Sequence, residues 1–511
     1  MAWRGSRGRV QIPHPTLSSA SLSSRLDAPR VRGATLILSA SHTDVFWKLS
    51  ARFIRGILLV RETEVVVTTL RSRLWMVVLG VFVVSSLVGC ADPAPPTAPP
   101  DAPVPPVDEP VEEPAERSEA SVLEAAAEMV EAVNGSLTRD ADDEIVTIDF
   151  EGSTVSDEDM EKLIGLQRLE RLRVGRPQIT DAALESIGQL SSLRVLDLGL
   201  CRVGDAGMPH LVDLENLEEL RLDRTDVRSA DGMRAIAQLP RLRRLHLAWT
   251  FVTDEALAEL SDKTTLELID LRECNLVSNE ALEHLQGLEN LRSLRLFGKQ
   301  IDDEGMQYVA QFERLQVLGV QDTAVTDEGM ALLAGLPLRE VNFFRTQIGD
   351  GGLEALKEMT GMRVLEIRDS RVTDNGLAHL ADMTELRKLD LNETDIGDEG
   401  LTHIAHLTSL EDLGLWATWV SDEGLEAISN LTNLRRLNLN QTDISNDGMQ
   451  HLAGMEQLEW LDLGETNISD AGLEYIKGLE NLQYLNLSFT MVSQEMVGEL
   501  RQSLPGLRIE S

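Results

Sequence analysis

Aromatic side chains are scarce in this chain, with ten Phe, seven Trp and three Tyr among 511 residues. A core for that length cannot rest on ring packing and must be aliphatic. Cysteine is scarcer. Cys90, Cys201 and Cys274 are too few for a disulfide framework, and no two have metal-ligand spacing. No apolar run reaches the length of about 20 residues that a membrane-spanning helix needs. The longest, LWMVVLGVFVVSSLVG at 74–89, stops at 16. Phosphate loop, nucleophile elbow and zinc motif are all missing, so no catalytic site and no cofactor are expected.

Positive charge is missing from most of the chain. Twelve of the 47 Lys and Arg but only four of the 85 Asp and Glu fall in residues 1–89. That leaves 35 basic against 81 acidic residues beyond, a net of −46. Such a body repels phosphate backbones, which excludes nucleic acid as a partner. A basic partner suits it better.

Arg71 and Arg73 precede the 74–89 run and Cys90 follows it, the length and flank of a secretory signal. Leu87-Val88-Gly89-Cys90 resembles the bacterial lipobox, which implies that Cys90 is lipidated and heads the mature protein. A signal normally opens a chain, so the basic, Ser-rich residues 1–69 read as a non-native or disordered extension, with 70–90 as signal and lipobox. Residues 91–117 hold ten of the eighteen prolines and form an acidic spacer. At about 3.1 Å per residue it reaches roughly 80 Å, enough to lift a domain off a membrane. Residues 118–143 read as an N-terminal cap with a helix from about Val122 to Val133, a capping box at Ser121 and Glu124, and a stop at Asn134-Gly135.

From residue 144 to 511 the chain repeats itself every 24 residues. LTNLRRLNLNQTDISNDGMQHLAG is followed by MEQLEWLDLGETNISDAGLEYIKG, and fourteen such units run from about Gln167 to Leu504 after a partial one at Ile145. The L-x-L alternation, as at Leu437 and Leu439, predicts a short strand. The spacing of Leu473, Ile476 and Leu479 predicts a helix with one apolar face, and the Asp before it suits its capping or its dipole. One unit cannot cover its own leucines, so units must stack. Ser493-Gln494-Glu495-Met496 breaks the turn motif, and PGLRIES then supplies a closing edge strand.

This pattern resembles the leucine-rich-repeat family, and the I-[ST]-D-x-G-L turn is similar to its cysteine-containing and ribonuclease-inhibitor-like branches. The resemblance implies an α/β solenoid, a horseshoe with a concave parallel sheet and convex helices. Cys201 and Cys274 align with Thr225, Thr250, Thr323, Thr394, Thr442 and Thr466, and read as packing residues. His210, His284, His379, His403 and His451 share one helix column and read as part of the repeat rather than as ligands.

The residue between the strand leucines alternates in sign from Arg173 through Asp197, Arg221, His246 and Asp270 to Arg295, which predicts a self-pairing ladder. Beyond Gly319 that pattern stops. There Phe344, Trp416, Trp460 and Tyr484 project from strands, with Trp419 and Phe489 on the adjoining turn, among Glu366, Asp390, Asp412 and Asp462. Exposed rings of this kind are interface anchors, and these ten residues form the candidate surface for a basic peptide or a glycan. The resulting expectation is a lipid-anchored cell-envelope protein that binds another macromolecule. The competing readings are an intracellular adaptor, resembling substrate-recognition subunits of ubiquitin ligases, and an enzyme.

Overall fold

The computed structural model describes residues 119–511, so the signal-like run, Cys90 and the Pro-rich spacer lie outside the described residues. The described part is an open stack. Its sixteen strands from Ile145–Asp149 to Arg508–Glu510 each pair in parallel with the next, and Ser136–Arg139 pairs antiparallel with the first of them.

Register follows the period. Leu437 lies opposite Leu461 and Leu461 opposite Leu485, and all three are fully buried. Within one unit Leu431, Leu434, Leu437, Leu439, Ile444, Met449 and Leu452 show no exposure. Each contributes at most about 1.5–3 kcal/mol on burial, and much of the covering surface comes from the units on either side. Strands sit about 4.8 Å apart whereas packed helices need about 8–10 Å. The helices here are only a turn or two long, as in Asp398–Ile404, and the mismatch puts the sheet on the inner side of the bend.

The Asp of the S-D-x-G turn has a role beyond the helix it opens. Where a side chain caps these helices it is the preceding Ser or Thr, as Thr326 does for Glu328 N–H and Ser421 for Glu423 N–H, or in one unit Asp302, which accepts the Glu304 N–H. The Asp instead reaches into the next unit. Asp350 accepts the Thr373 backbone N–H at 2.8 Å, and the Thr373 hydroxyl donates to its second oxygen at 2.7 Å. An equivalent backbone bond to Asp or Asn recurs along the stack from Asp157 to Asp470. Among the described residues none reaches Thr253, because Ala230 stands where other units carry Asp. The motif's glycine leaves room for this latch: a Cβ on Gly376 would lie 2.5 Å from Asp350 Oδ1.

The ends differ from the repeats. Helix Glu119–Ala132 buries Val122, Ala126, Met129 and Val130 against the first unit. It starts before Ser121, so the expected capping box is not its beginning. Its stop is as read: Asn134 is left-handed (φ 61°) and Gly135 N–H returns to the Val130 carbonyl at 2.8 Å. At the other end Gln494–Ser503 forms the longest helix after that one, and Arg508–Glu510 closes the sheet.

Cys201 and Cys274 are buried and unpaired in the threonine column. The column's hydroxyls donate to the carbonyl three residues back, as Thr442 does to Leu439. Burial pushes the Cys201 thiol up to about 11.

Candidate functional site

The side chains that project from the sheet fall into two zones. In the N-terminal zone the expected ladder forms only in pieces. Arg173 bridges Asp149 at 3.4 Å and Asp197 at 3.6 Å, and Arg295 reaches Asp270 at 3.6 Å. Arg221 turns away to Glu219 on its own strand, at 2.7 Å. Glu219, almost fully buried, also receives Arg244 at 2.8 Å, and with His246 close by its carboxyl is held far below the ordinary range. Asp270 has no exposure, yet Arg272 keeps it ionised below its usual value against the cost of burial.

The C-terminal zone holds the candidate surface. Trp460 and Tyr484 occupy the same position on adjacent strands and stack, ring centres 5.4 Å apart and 8° from parallel. Arg436 covers the far face of this pair at 4.8 Å from Trp460, and Arg508 covers Tyr484 at 5.7 Å. Tyr484 donates its hydroxyl to Glu510 at 2.8 Å; burial and that carboxylate push its pKa up to about 12. Nearby, the Arg368 guanidinium lies against both Phe344, at 5.1 Å, and Trp416, at 4.8 Å. The expected strand aromatics are thus half-covered rings in Arg–aromatic stacks rather than bare anchors. Trp419 and Phe489 are the bare ones, on the turn edge, at 61% and 86% exposed.

The acidic members divide in two. Asp462 is held through one oxygen, Oδ1, which accepts from Asn440, Asn486 and Gly464. Glu366 binds the Lys388 ammonium at 2.5 Å and Asp412 bridges Arg436 at 3.4 Å, while Asp390, within the field of Lys388 and Arg368, has no ion pair among the described residues. Burial raises the carboxyls of both Asp390 and Asp412, and Glu366 adds to it in each case. The group therefore carries more negative charge than it can pair internally.

A family profile described as a leucine-rich repeat region matches residues 337–509, and one described as a leucine-rich repeat matches 189–208. The 24-residue period that runs from one segment through the other completes the assignment. The chain is a leucine-rich-repeat protein. No curated protein matches it in sequence. Among solved structures it is similar to an internalin of Listeria monocytogenes, at 25% identity and TM-score 0.47 over 59% of this chain and 82% of that one. A leucine-rich-repeat protein of Leptospira interrogans is 19% identical at TM-score 0.47, covering 71% and 94%. The Arabidopsis receptor kinase HAESA, solved with a peptide hormone and a co-receptor, is 14% identical at TM-score 0.41, covering 77% and 81%.

Sequence reasoning missed one feature of this leucine-rich-repeat sheet. A cavity of about 220 Å³ opens over Gly319, with Arg272 and Arg295 on one wall and Glu340 and Glu366 on the other. Its signal was Gly319 itself, which follows Arg295 in the column and leaves a gap before Asn342 and Glu366. The stacks had a signal too: Phe344 and Arg368, like Arg436 and Trp460, are one period apart. Among the described residues no group of three or more His, Cys, Asp or Glu is arranged to hold a metal ion.

Proposed function

We propose that this leucine-rich-repeat protein is exported, anchored to a bacterial membrane through lipid on Cys90, and binds a basic, extended segment of another protein on the C-terminal half of its sheet. The observation that carries the binding reading is Asp390, a carboxylate with no ion pair among the described residues, set beside the Glu366–Lys388 and Asp412–Arg436 pairs. An incoming Lys or Arg supplies the charge that Asp390 lacks, in a partly dehydrated place where an ion pair is worth more than at an open surface. The neighbouring Arg–aromatic stacks give flat, pre-ordered faces for the apolar stems of such a segment. Rings already held by Arg368, Arg436 and Arg508 lose little freedom on binding.

Support for the anchor is the order of the sequence: a basic flank, a 16-residue apolar run, small residues, Cys90, then a long proline-rich spacer. Growth with a palmitate analogue tests it. Label on the wild-type chain that disappears in Cys90→Ala is the expected result. An unlabelled, soluble cytosolic chain would overturn the anchor and favour the adaptor reading. Crosslinking in intact cells then identifies the partner, and Trp416→Ala with Trp460→Ala is expected to lose it while the stack stays folded. Equal capture by the double variant would remove this surface from the binding role.

A further inference from the structure

One edge of the sheet is hard to reconcile with a body left in water. Leu200, Trp249, Phe251 and Leu276 are 52%, 51%, 60% and 47% exposed, on the turns that follow the strands Val195–Asp197, Arg244–His246 and Leu268–Asp270. Leu200 and Trp249 also occupy a position held left-handed in nearly every unit, at φ 67° and 63°. Polar residues fill it in most other units, among them Glu273, Asp322, Glu393, Gln441 and Glu465. A bulky apolar side chain there is strained by its backbone, is wetted by solvent and adds nothing to the core. Its benefit must lie outside the chain.

The turns around these four residues carry Arg202, Arg224 and Arg228 against Asp226 and Glu273, and Arg228 bridges Asp226. Arg202 and Arg224 are exposed on the same turns, and among the described residues neither has a carboxylate partner, although acids far outnumber bases in this chain. Arg224 instead lies over the Trp249 ring at 4.8 Å. We infer that this edge docks onto an anionic lipid surface, with Leu200, Trp249, Phe251 and Leu276 entering the headgroup–acyl boundary and Arg202 and Arg224 meeting lipid phosphates. Apolar and aromatic side chains beside arginine are what an interfacial segment presents. These are projecting turn tips rather than a recess, which suits a fluid surface better than the packed face of a folded partner. The acidic remainder does not prevent contact, because its field is screened beyond about 8 Å at physiological ionic strength.

Environment-sensitive labels on the full chain test this, with Cys90→Ala introduced so that only the added thiol reacts and Cys201 and Cys274 remain buried. The label is placed by Trp249→Cys or Phe251→Cys, and by Asp443→Cys on a polar part of the same edge. Vesicles of phosphatidylcholine with phosphatidylglycerol should turn the first two labels dry and quenchable by brominated lipid, and leave the third wet. Arg202→Gln with Arg224→Gln should lower the docked-to-undocked ratio about tenfold. Chain that sediments with the vesicles while both labels stay wet overturns the edge, and the palmitate labelling of Cys90 then decides the anchor separately. Because the Cys90→Ala chain carries no lipid, drying of both labels supports the edge whatever the palmitate labelling of Cys90 shows. Labels that dry only at high protein concentration without lipid would assign the edge to a second copy and overturn the proposal. Equal signals on phosphatidylcholine alone would overturn its charge component.

Discussion

Asp350 Oδ1 lies where a Cβ on Gly376 would fall, 2.5 Å away, while it accepts the Thr373 backbone N–H. Gly376 is in the first turn of the helix Asp374–Leu377. Replacing a helical glycine by alanine usually stabilises by about 0.5–1 kcal/mol. Here the sign reverses. Gly376→Ala is expected to destabilise by about 1–3 kcal/mol, because the new methyl displaces the latch carboxylate. In a double-mutant cycle with Asp350→Ala the penalty should shrink, since the carboxylate is then gone. Additive effects in denaturant unfolding would show that the glycine serves something else.

Two carboxylates, Glu219 buried and Asp390 half-buried, should respond to pH in opposite ways. The carboxyl of Glu219 is lowered by His246, Arg221 and Arg244, so its contribution to stability is present above its unfolded value and is lost as pH falls toward the folded one. Asp390 is raised by burial, so its ionised form costs stability at neutral pH and that cost is relieved as pH falls through the folded value. Glu219→Gln should therefore destabilise at pH 7, by about 2 kcal/mol, and Asp390→Asn should stabilise by up to about 1 kcal/mol. Both differences should shrink below about pH 4, where carboxylates protonate in the unfolded chain. Melting curves across pH check both signs.

Lys263 occupies the column held by Leu239 and Leu288 in the flanking units and is buried there, its ammonium donating to the Leu239 carbonyl. Burial lowers its pKa, so the wild-type chain gains stability as pH rises toward the unfolded lysine value. Lys263→Leu should raise stability at pH 7 by about 1–2 kcal/mol and abolish that rise. A lower melting temperature would mean that the bond to Leu239 outweighs the desolvation.

The repeat was legible because its signal is local and periodic: Leu437, Leu439 and Ile444 recur at fixed spacing, and spacing is what assigns strand and helix. The latch was not legible. Its acceptor, Asp350, lies 23 residues from Thr373, and the donor is a backbone N–H that leaves no mark on the sequence. Ser136–Arg139 escaped for a related reason, since this first strand is polar and mostly exposed. On the candidate surface the aromatic residues and the one-period spacing of Phe344 and Arg368 were readable, but the reach of Arg368 to Trp416, two periods on, was not, because it depends on how the strands stack. The Gly319 cavity is a side chain that is not there.

Selection of random peptides displayed on phage against the immobilised chain tests the binding claim most directly, with Trp416→Ala, Trp460→Ala chain as the counter-target. The prediction is enrichment of peptides carrying Lys or Arg beside apolar residues, retained by the wild-type chain, lost on the variant and weakened by salt. Enrichment of acidic peptides, or equal retention by both chains, would contradict it.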